Sequence, residues 1–201
     1  VTRVVLATRN SKKLTELRRI LAEASVAGVE IIGLDDVPPF PEEPETGATF
    51  EENAVAKAAA AAKATGLPSI ADDSGIAVEA LNGMPGVLSA RWAGKHGDDQ
   101  ANLELLLGQL ADVPDHRRGA AFVAAAALVL PDGTQTVVRA EWPGTITREP
   151  RGTNGFGYDP IFVPEGETRT SAELSPEEKD AHSHRGKALR LLLPGLRELA
   201  D

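Results

Sequence analysis

Apolar residues fall along this chain in two rhythms. Val4-Val5-Leu6-Ala7 is an unbroken apolar run, the pattern of a strand buried on both faces. After a break at Thr8-Arg9-Asn10-Ser11 the spacing becomes helical, with Leu14, Leu17, Ile20, Leu21 and Ala24 on one face. Asn10 or Ser11 suits the cap. Val29 to Leu34 reads as the next strand, so the chain opens as a βαβ unit. Residues 35–48 hold too many prolines for helix or central strand. Thr49-Phe50-Glu51-Glu52 predicts a capping box at the head of an Ala-rich helix from Phe50 to Ala64, ended by Gly66 and Pro68. A short apolar strand then ends on Asp72-Asp73. Ser74-Gly75 predicts a turn there, and Ile76, Val78 and Leu81 resume the apolar pattern.

The second half alternates in the same way. Gly83 to Gly97 reads as a Gly-punctuated connection, followed by a helix from about Asp98 to Ala111 with Leu103, Leu106, Leu107 and Leu110 on one face. Ala120 to Leu130 is a long apolar run. Asp132-Gly133 predicts a hairpin turn into Thr136–Trp142, where Val138, Ala140 and Trp142 should face the core and Arg139 and Glu141 face out. Gly144 to Gly157 reads as a loop, with a strand from about Pro160. Ser175-Pro176-Glu177-Glu178 predicts a second capping box, and Leu189, Leu192, Leu193 and Leu196 mark a final helical segment. Lys179 and His184 are five residues apart, about 140° around an unbroken helix. Both can aim at one ligand only if the helix breaks, so a break near Ser183 is predicted, with Ser183 capping a new helix. His184 and Arg185 then fall in its first turn, where backbone N–H groups favour oxygen-rich ligands.

The length of 201 residues fits one large α/β domain or two lobes sharing a core. With 21 basic against 30 acidic residues the formal charge is −9, which argues against non-specific binding to nucleic acid or a membrane surface. No cysteine is present, so disulfides, zinc-thiolate sites and thiol catalysis are excluded. No run is long and apolar enough for a transmembrane helix, and Val1 leads straight into a strand-like run rather than a signal peptide. The expectation is a cytoplasmic protein.

Several polar residues sit where chemistry is done. Asp72 and Asp73 should point to opposite faces of a strand. Adjacent carboxylates repel and are costly to bury, a cost that a magnesium ion relieves; the same residue types also make an ordinary solvated turn. Thr8-Arg9-Asn10-Ser11-Lys12-Lys13, between a buried strand and a helix, suits phosphate, although it lacks the Gly-rich pattern of a Walker A loop. Glu45 lies in the acidic loop and Lys57 two turns into the Ala-rich helix. Phe156-Gly157-Tyr158-Asp159 pairs aromatics, on which a base can stack, with a glycine that permits close approach. Each has a plain structural reading alone. Together they supply phosphate donors, carboxylates for a metal, aromatics for a base and donors for its edge, the inventory for a nucleoside triphosphate.

These motifs resemble the inosine triphosphate pyrophosphatase family. The resemblance runs nearly end to end. It covers Leu6–Lys13, Glu45–Ala54, Ala71–Gly75, Pro85–Arg91, Phe156–Phe162 and Ser183–Gly186. It implies a long mixed sheet flanked by helices, in two lobes with a substrate cleft between them, residues 1–201 forming one catalytic domain. It also implies a homodimer, dependence on Mg2+, and hydrolysis of inosine, deoxyinosine or xanthosine triphosphate to the monophosphate and pyrophosphate. Carried over by residue, Thr8, Arg9, Asn10, Ser11, Lys12 and Lys13 would hold the phosphates, with Lys57 nearby. Glu45 and Asp73 would bind magnesium, Asp73 would take the proton from water, and Ser74 would touch substrate. Phe156, Gly157, Tyr158 and Asp159 would form the base pocket, completed by Lys179, His184 and Arg185. Donors from His184 and Arg185 would favour a 6-keto purine. Asp72 would support its neighbour, by hydrogen bonding or through water. The family usually carries Gly where this chain has Arg9, so a left-handed turn there would strain Arg9. Two other readings stay open: a pyrophosphatase for modified pyrimidine nucleotides, and a non-catalytic nucleotide-binding module.

Overall fold

Val4, Val5 and Leu6 are fully or almost fully buried, as a central strand requires, and the fold grows outward from them. The computed structural model describes residues 1–200. Strands β1 (Thr2–Leu6), β2 (Val29–Ile32), β3 (Ser69–Val78), β4 (Gly119–Val129), β5 (Gln135–Ile146) and β6 (Phe162–Pro164) form one sheet in the order β2-β1-β3-β4-β5-β6. The sheet is mixed: β1 pairs parallel with β2 and β3, and β5 antiparallel with β6. Helices α1 (Ser11–Glu23), α2 (Phe50–Thr65), α3 (Asp99–Gln109), α4 (Pro176–His182), α5 (His184–Leu191) and α6 (Leu193–Glu198) accompany it.

The chain divides into two compact units. The first comprises Val1–Asp73, Ala124–Ala140 and the C-terminal stretch from Arg185; the second comprises Ser74–Val123 and Glu141–His184. Each has its own core. In the first, Leu17, Ile20 and Leu21 of α1 pack with Val4, Leu6, Ile70 and the C-terminal leucines. In the second, Leu103 and Leu106 of α3 pack with Ile76, Phe122, Trp142 and Phe162. In α2, Ala54, Ala58, Ala61 and Ala62 are buried along one face; their short side chains suit close packing.

Most of the predicted elements are present, and the differences have local causes. Asn10 is the α1 cap, its side chain accepting from the Lys12 N–H. The second strand stops at Ile32, and Leu34 enters a short 3-10 turn. Thr49 caps α2, but Glu52 reaches back to the Ala48 N–H rather than the Thr49 N–H, so the box is not closed. The box at Ser175 and Glu178 is closed in both directions.

Four corrections matter more. Ser74-Gly75 is not a turn: β3 continues through it to Val78. A Cβ at Gly75 would collide with Ser89 Oγ and Gly86 O, so glycine here serves the close approach of another segment. Gly144 likewise lies within β5, which runs on to Ile146, because a Cβ there would meet Val163 O and the Phe162 ring. The segment from Pro160 is a short 3-10 turn, Asp159–Ile161, before β6 begins at Phe162. The last helical segment is split around Leu192, with Pro194 in the first turn of α6. The predicted break at Ser183 is present, where the backbone is extended and α5 begins at His184.

Candidate active site

The first unit gathers charge around β3. Asp72 and Asp73 lie mid-strand, both buried, and strand alternation sends them to opposite faces. Their partners differ accordingly. Asp72 accepts from Lys13 Nζ of α1 at 3.1 and 3.2 Å, and Arg185 of α5 stands 3.9 Å away. Arg185 also meets Glu16 at 3.6 Å. Burial alone would raise the Asp72 carboxyl; Lys13, Arg185 and Lys57 overturn this and hold it below its ordinary range. Asp72 is therefore an anchor for two cations.

Asp73 faces α2. Asn53 Nδ2 donates to Asp73 Oδ2 at 3.0 Å. Burial pushes the Asp73 carboxyl up to about 6; Glu45 and Asp72 add to that, while Asn53 and Lys57 oppose it. Glu45 accepts from Lys57 Nζ at 2.9 Å. Burial disfavours the Lys57 ammonium, yet Glu45, Asp72 and Asp73 outweigh burial and raise its pKa. A cavity of about 500 Å³ opens beside this group, with Thr8, Glu45, Asn53 and Lys57 on its wall.

The β1–α1 turn is held by its own side chains. Thr8 Oγ1 accepts from the Asn10 N–H at 3.1 Å, and Asn10 Oδ1 from the Lys12 N–H at 3.0 Å. Ser11 and Lys12 are exposed in the first turn of α1. Arg9 is not strained, since among the described residues the only non-glycine positions with positive φ are Ser25 and Asn82. Its guanidinium lies 3.1 Å from Glu42 in an exposed ion pair.

The second unit carries the aromatic group. Phe156 is 61% exposed, and Lys179 Nζ sits 5.0 Å from its ring centroid. Asp159 is buried and organises the loop: it accepts from the Phe156 N–H at 3.0 Å, Lys179 Nζ at 2.5 Å and Ser171 Oγ at 2.7 Å. Gly157 takes φ +60° and donates its N–H to Asp99. Tyr158 is a core residue; its hydroxyl donates to the Ser89 carbonyl at 2.7 Å, and burial raises its pKa. His184 stacks on Phe122 with ring centroids 5.0 Å apart. Ser74 is half-buried, next along β3.

Structure thus brings Lys13, Asp72 and Arg185 together, and Glu45, Lys57 and Asp73 together, within the first unit. In the second it brings Phe156, Asp159 and Lys179 together, and His184 belongs to this unit while Arg185 belongs to the first. Two residues join that sequence reading did not single out, Asn53 and Glu16. Asn53 carried a signal: a polar amide in an alanine-rich helix interior is unfavourable unless it has a partner. Glu16 carried none, lying among the polar residues of an amphipathic helix.

Glu45 and Asp73 fit a hard divalent cation. They are oxygen ligands, the Glu45 charge adds to the cost of ionising Asp73, and a cation reverses that. No cluster of three or more His, Cys, Asp or Glu residues suited to a metal occurs among the described residues. Two carboxylates with the remaining positions left to water and phosphate is the usual arrangement for magnesium.

Comparison with known proteins shows the family. A dITP/XTP pyrophosphatase of Nocardia farcinica is 71% identical over 199 residues, covering 99% of this chain and 97% of the relative. One from Mycobacterium tuberculosis is 66% identical over 200 residues, covering 100% and 98%. The crystal structure of a nucleoside-triphosphatase / dITP/XTP pyrophosphatase from Mycobacterium abscessus, 62% identical, matches with a TM-score of 0.84 over 97% of this chain and 100% of that one. A HAM1 protein from Coxiella burnetii, 44% identical, matches with a TM-score of 0.88 over 98% and 100%. The Ham1 family profile matches residues 4–195. The chain belongs to the Ham1 family.

Proposed function

We propose that this protein hydrolyses non-standard purine nucleoside triphosphates, those of inosine, deoxyinosine and xanthosine, to the monophosphate and pyrophosphate. It thereby clears the cytoplasmic nucleotide pool. The observation that carries the proposal is Asp73: a carboxyl raised to about 6, oriented by Asn53 and set beside Glu45 and Lys57. A base with that pKa is ionised at neutral pH yet binds a proton more readily than an ordinary aspartate. Water attacks the α-phosphorus, Asp73 takes its proton, and the bond to the β-phosphate oxygen breaks to release pyrophosphate. Lys57 and the cations held by the β1–α1 segment, Lys12 and Lys13, bind the phosphates and offset the charge that develops there. Glu45 and Asp73 would hold Mg2+, which when bound supplies further neutralisation of phosphate charge.

Base recognition is assigned to Phe156, Asp159, Lys179 and His184 of the second unit and to Arg185 of the first. Phe156 offers an exposed ring for stacking, and Asp159 and Lys179 fix the loop that presents it. His184 and Arg185 are assigned to the 6-keto edge, a role that requires Arg185 to exchange Glu16 and Asp72 for substrate. Deciding between these purines and other nucleotides takes a panel of triphosphates, assayed for pyrophosphate with Mg2+ and with chelator. Inosine and xanthosine triphosphates should be hydrolysed far faster than adenosine triphosphate. A preference for methylated pyrimidine triphosphates, or no pyrophosphate release at all, would reject the proposal. An unchanged inosine-to-adenosine preference in Arg185→Ala would remove Arg185 from the base edge. The working unit is taken to be a homodimer, for which light scattering should give a mass near twice the chain's 21.1 kDa.

A further inference from the structure

Asn53 is the one buried amide in α2, and its two ends are bound to different parts of the charged cluster. Nδ2 donates to Asp73 Oδ2 at 3.0 Å, and Oδ1 accepts from the Gly47 N–H at 2.7 Å. Gly47 lies two residues after Glu45, in the Pro- and Glu-rich loop, and that loop contributes no strand or long helix of its own. Asp73 by contrast sits mid-strand in a central element. A rigid carboxylate and the backbone two residues beyond a loop-borne one are thus tied by one side chain, 2% exposed. The fit around it is tight: a Cβ at Gly47 would lie 2.6 Å from Asn53 Oδ1. The amide donates to the carboxylate with its nitrogen and accepts from the backbone N–H with its oxygen.

We infer that Asn53 is a positioning residue that sets the separation and orientation of Glu45 and Asp73 for a divalent cation. It rests on the reading of those two carboxylates given above. The Asn53 donor engages Asp73 Oδ2 and so fixes the orientation of that carboxylate. The Asn53 acceptor holds the Gly47 backbone, and with it Glu45, at a set distance from β3. Residues that orient metal ligands typically alter metal affinity about 10–100-fold when removed.

The test compares wild type with Asn53→Leu, which preserves bulk, and Asn53→Ser, which keeps a short polar group. Ala64→Gly serves as a control that weakens the same helix at an exposed position. Two quantities are measured on the full chain: Mn2+ binding without nucleotide, by electron paramagnetic resonance, and the Mg2+ concentration giving half-maximal pyrophosphate release from inosine triphosphate. Thermal unfolding without metal reports folding. Both Asn53 variants should weaken Mn2+ binding and raise the half-saturating Mg2+ by about tenfold or more. Ala64→Gly should lower the melting temperature and leave both metal values alone. If the Asn53 variants lose melting temperature but keep both metal values within twofold of wild type, Asn53 is structural only and the inference is overturned. Wild type that binds no Mn2+ would instead take down the Glu45–Asp73 reading, and this inference with it.

Discussion

Asp73 loses its proton near pH 6 in the folded protein, against 3.8 for an unperturbed aspartate. The protonated form is thus favoured by the fold. Its stabilising contribution is complete below about pH 4 and is lost as pH rises through 6. Asp73→Asn removes that dependence. Its stability relative to wild type should therefore grow between pH 5 and pH 7, as urea unfolding at a series of pH values would show; equal slopes would contradict the assignment. The same variant should lose about 10²–10⁴-fold in pyrophosphate release, the usual contribution of general-base catalysis. Asp72 behaves oppositely. Its pKa is depressed, so its contribution is present above the unfolded value and lost as pH falls. Asp72→Asn leaves Lys13 and Arg185 without their shared anion. The expected cost is about 3 kcal/mol in urea unfolding at pH 7, since breaking a buried ion pair strands a charge. Two adjacent residues of the same type thus part in chemistry because a strand turns them to opposite faces.

At the scale of elements, close approach and backbone conformation can be separated by substitution. Gly66 ends α2 at φ +69° with open space around it, so Gly66→Ala costs only the left-handed backbone, about 1 kcal/mol. Gly75 has an ordinary φ but no room for a Cβ against Ser89 and Gly86. Gly75→Ala should cost more, about 1–3 kcal/mol, as overpacking does. Thermal unfolding of the two variants would rank them, and the reverse order would contradict the reading of β3 as a continuous strand crowded by Ser89. The capping box of α4 offers a third measure. Ser175→Ala should lower stability by about 1 kcal/mol, because the Glu178 N–H loses its acceptor.

Over the whole molecule, the proposed metal site would link metal, proton and fold through Asp73. If Asp73 holds Mg2+ as proposed, the ion competes with the proton for that carboxylate, and added Mg2+ should raise the melting temperature more at pH 7.5 than at pH 5. A shift independent of pH would place the ion elsewhere. The formal charge of −9 makes this competition more consequential, because an acidic protein must bring together carboxylates and a polyanionic substrate.

The sequence by itself determined the alternation of strands and helices, a cap at Asn10 or Ser11, the cap at Ser175, and the break at Ser183. Those features depend on neighbours a few residues away, which is the range that periodicity and capping chemistry can read. It also supplied the candidate ligand types, since Asp, Glu and Lys in ordered motifs carry their chemistry with them. Tertiary structure decided what distant segments impose. Gly75 and Gly144 look like turn residues in sequence and are strand residues in the fold, because Ser89 and Phe162 approach from far along the chain. Tyr158 looks like a base platform and is a core residue hydrogen-bonded to Ser89, whereas Phe156, two residues earlier, is left exposed. The same holds at Asp72-Asp73. Sequence showed two carboxylates in a row. Only the packing of α1 and α5 against one face and α2 against the other gave Asp72 two cations, gave Asp73 an amide and a raised pKa, and made Asn53 visible at all.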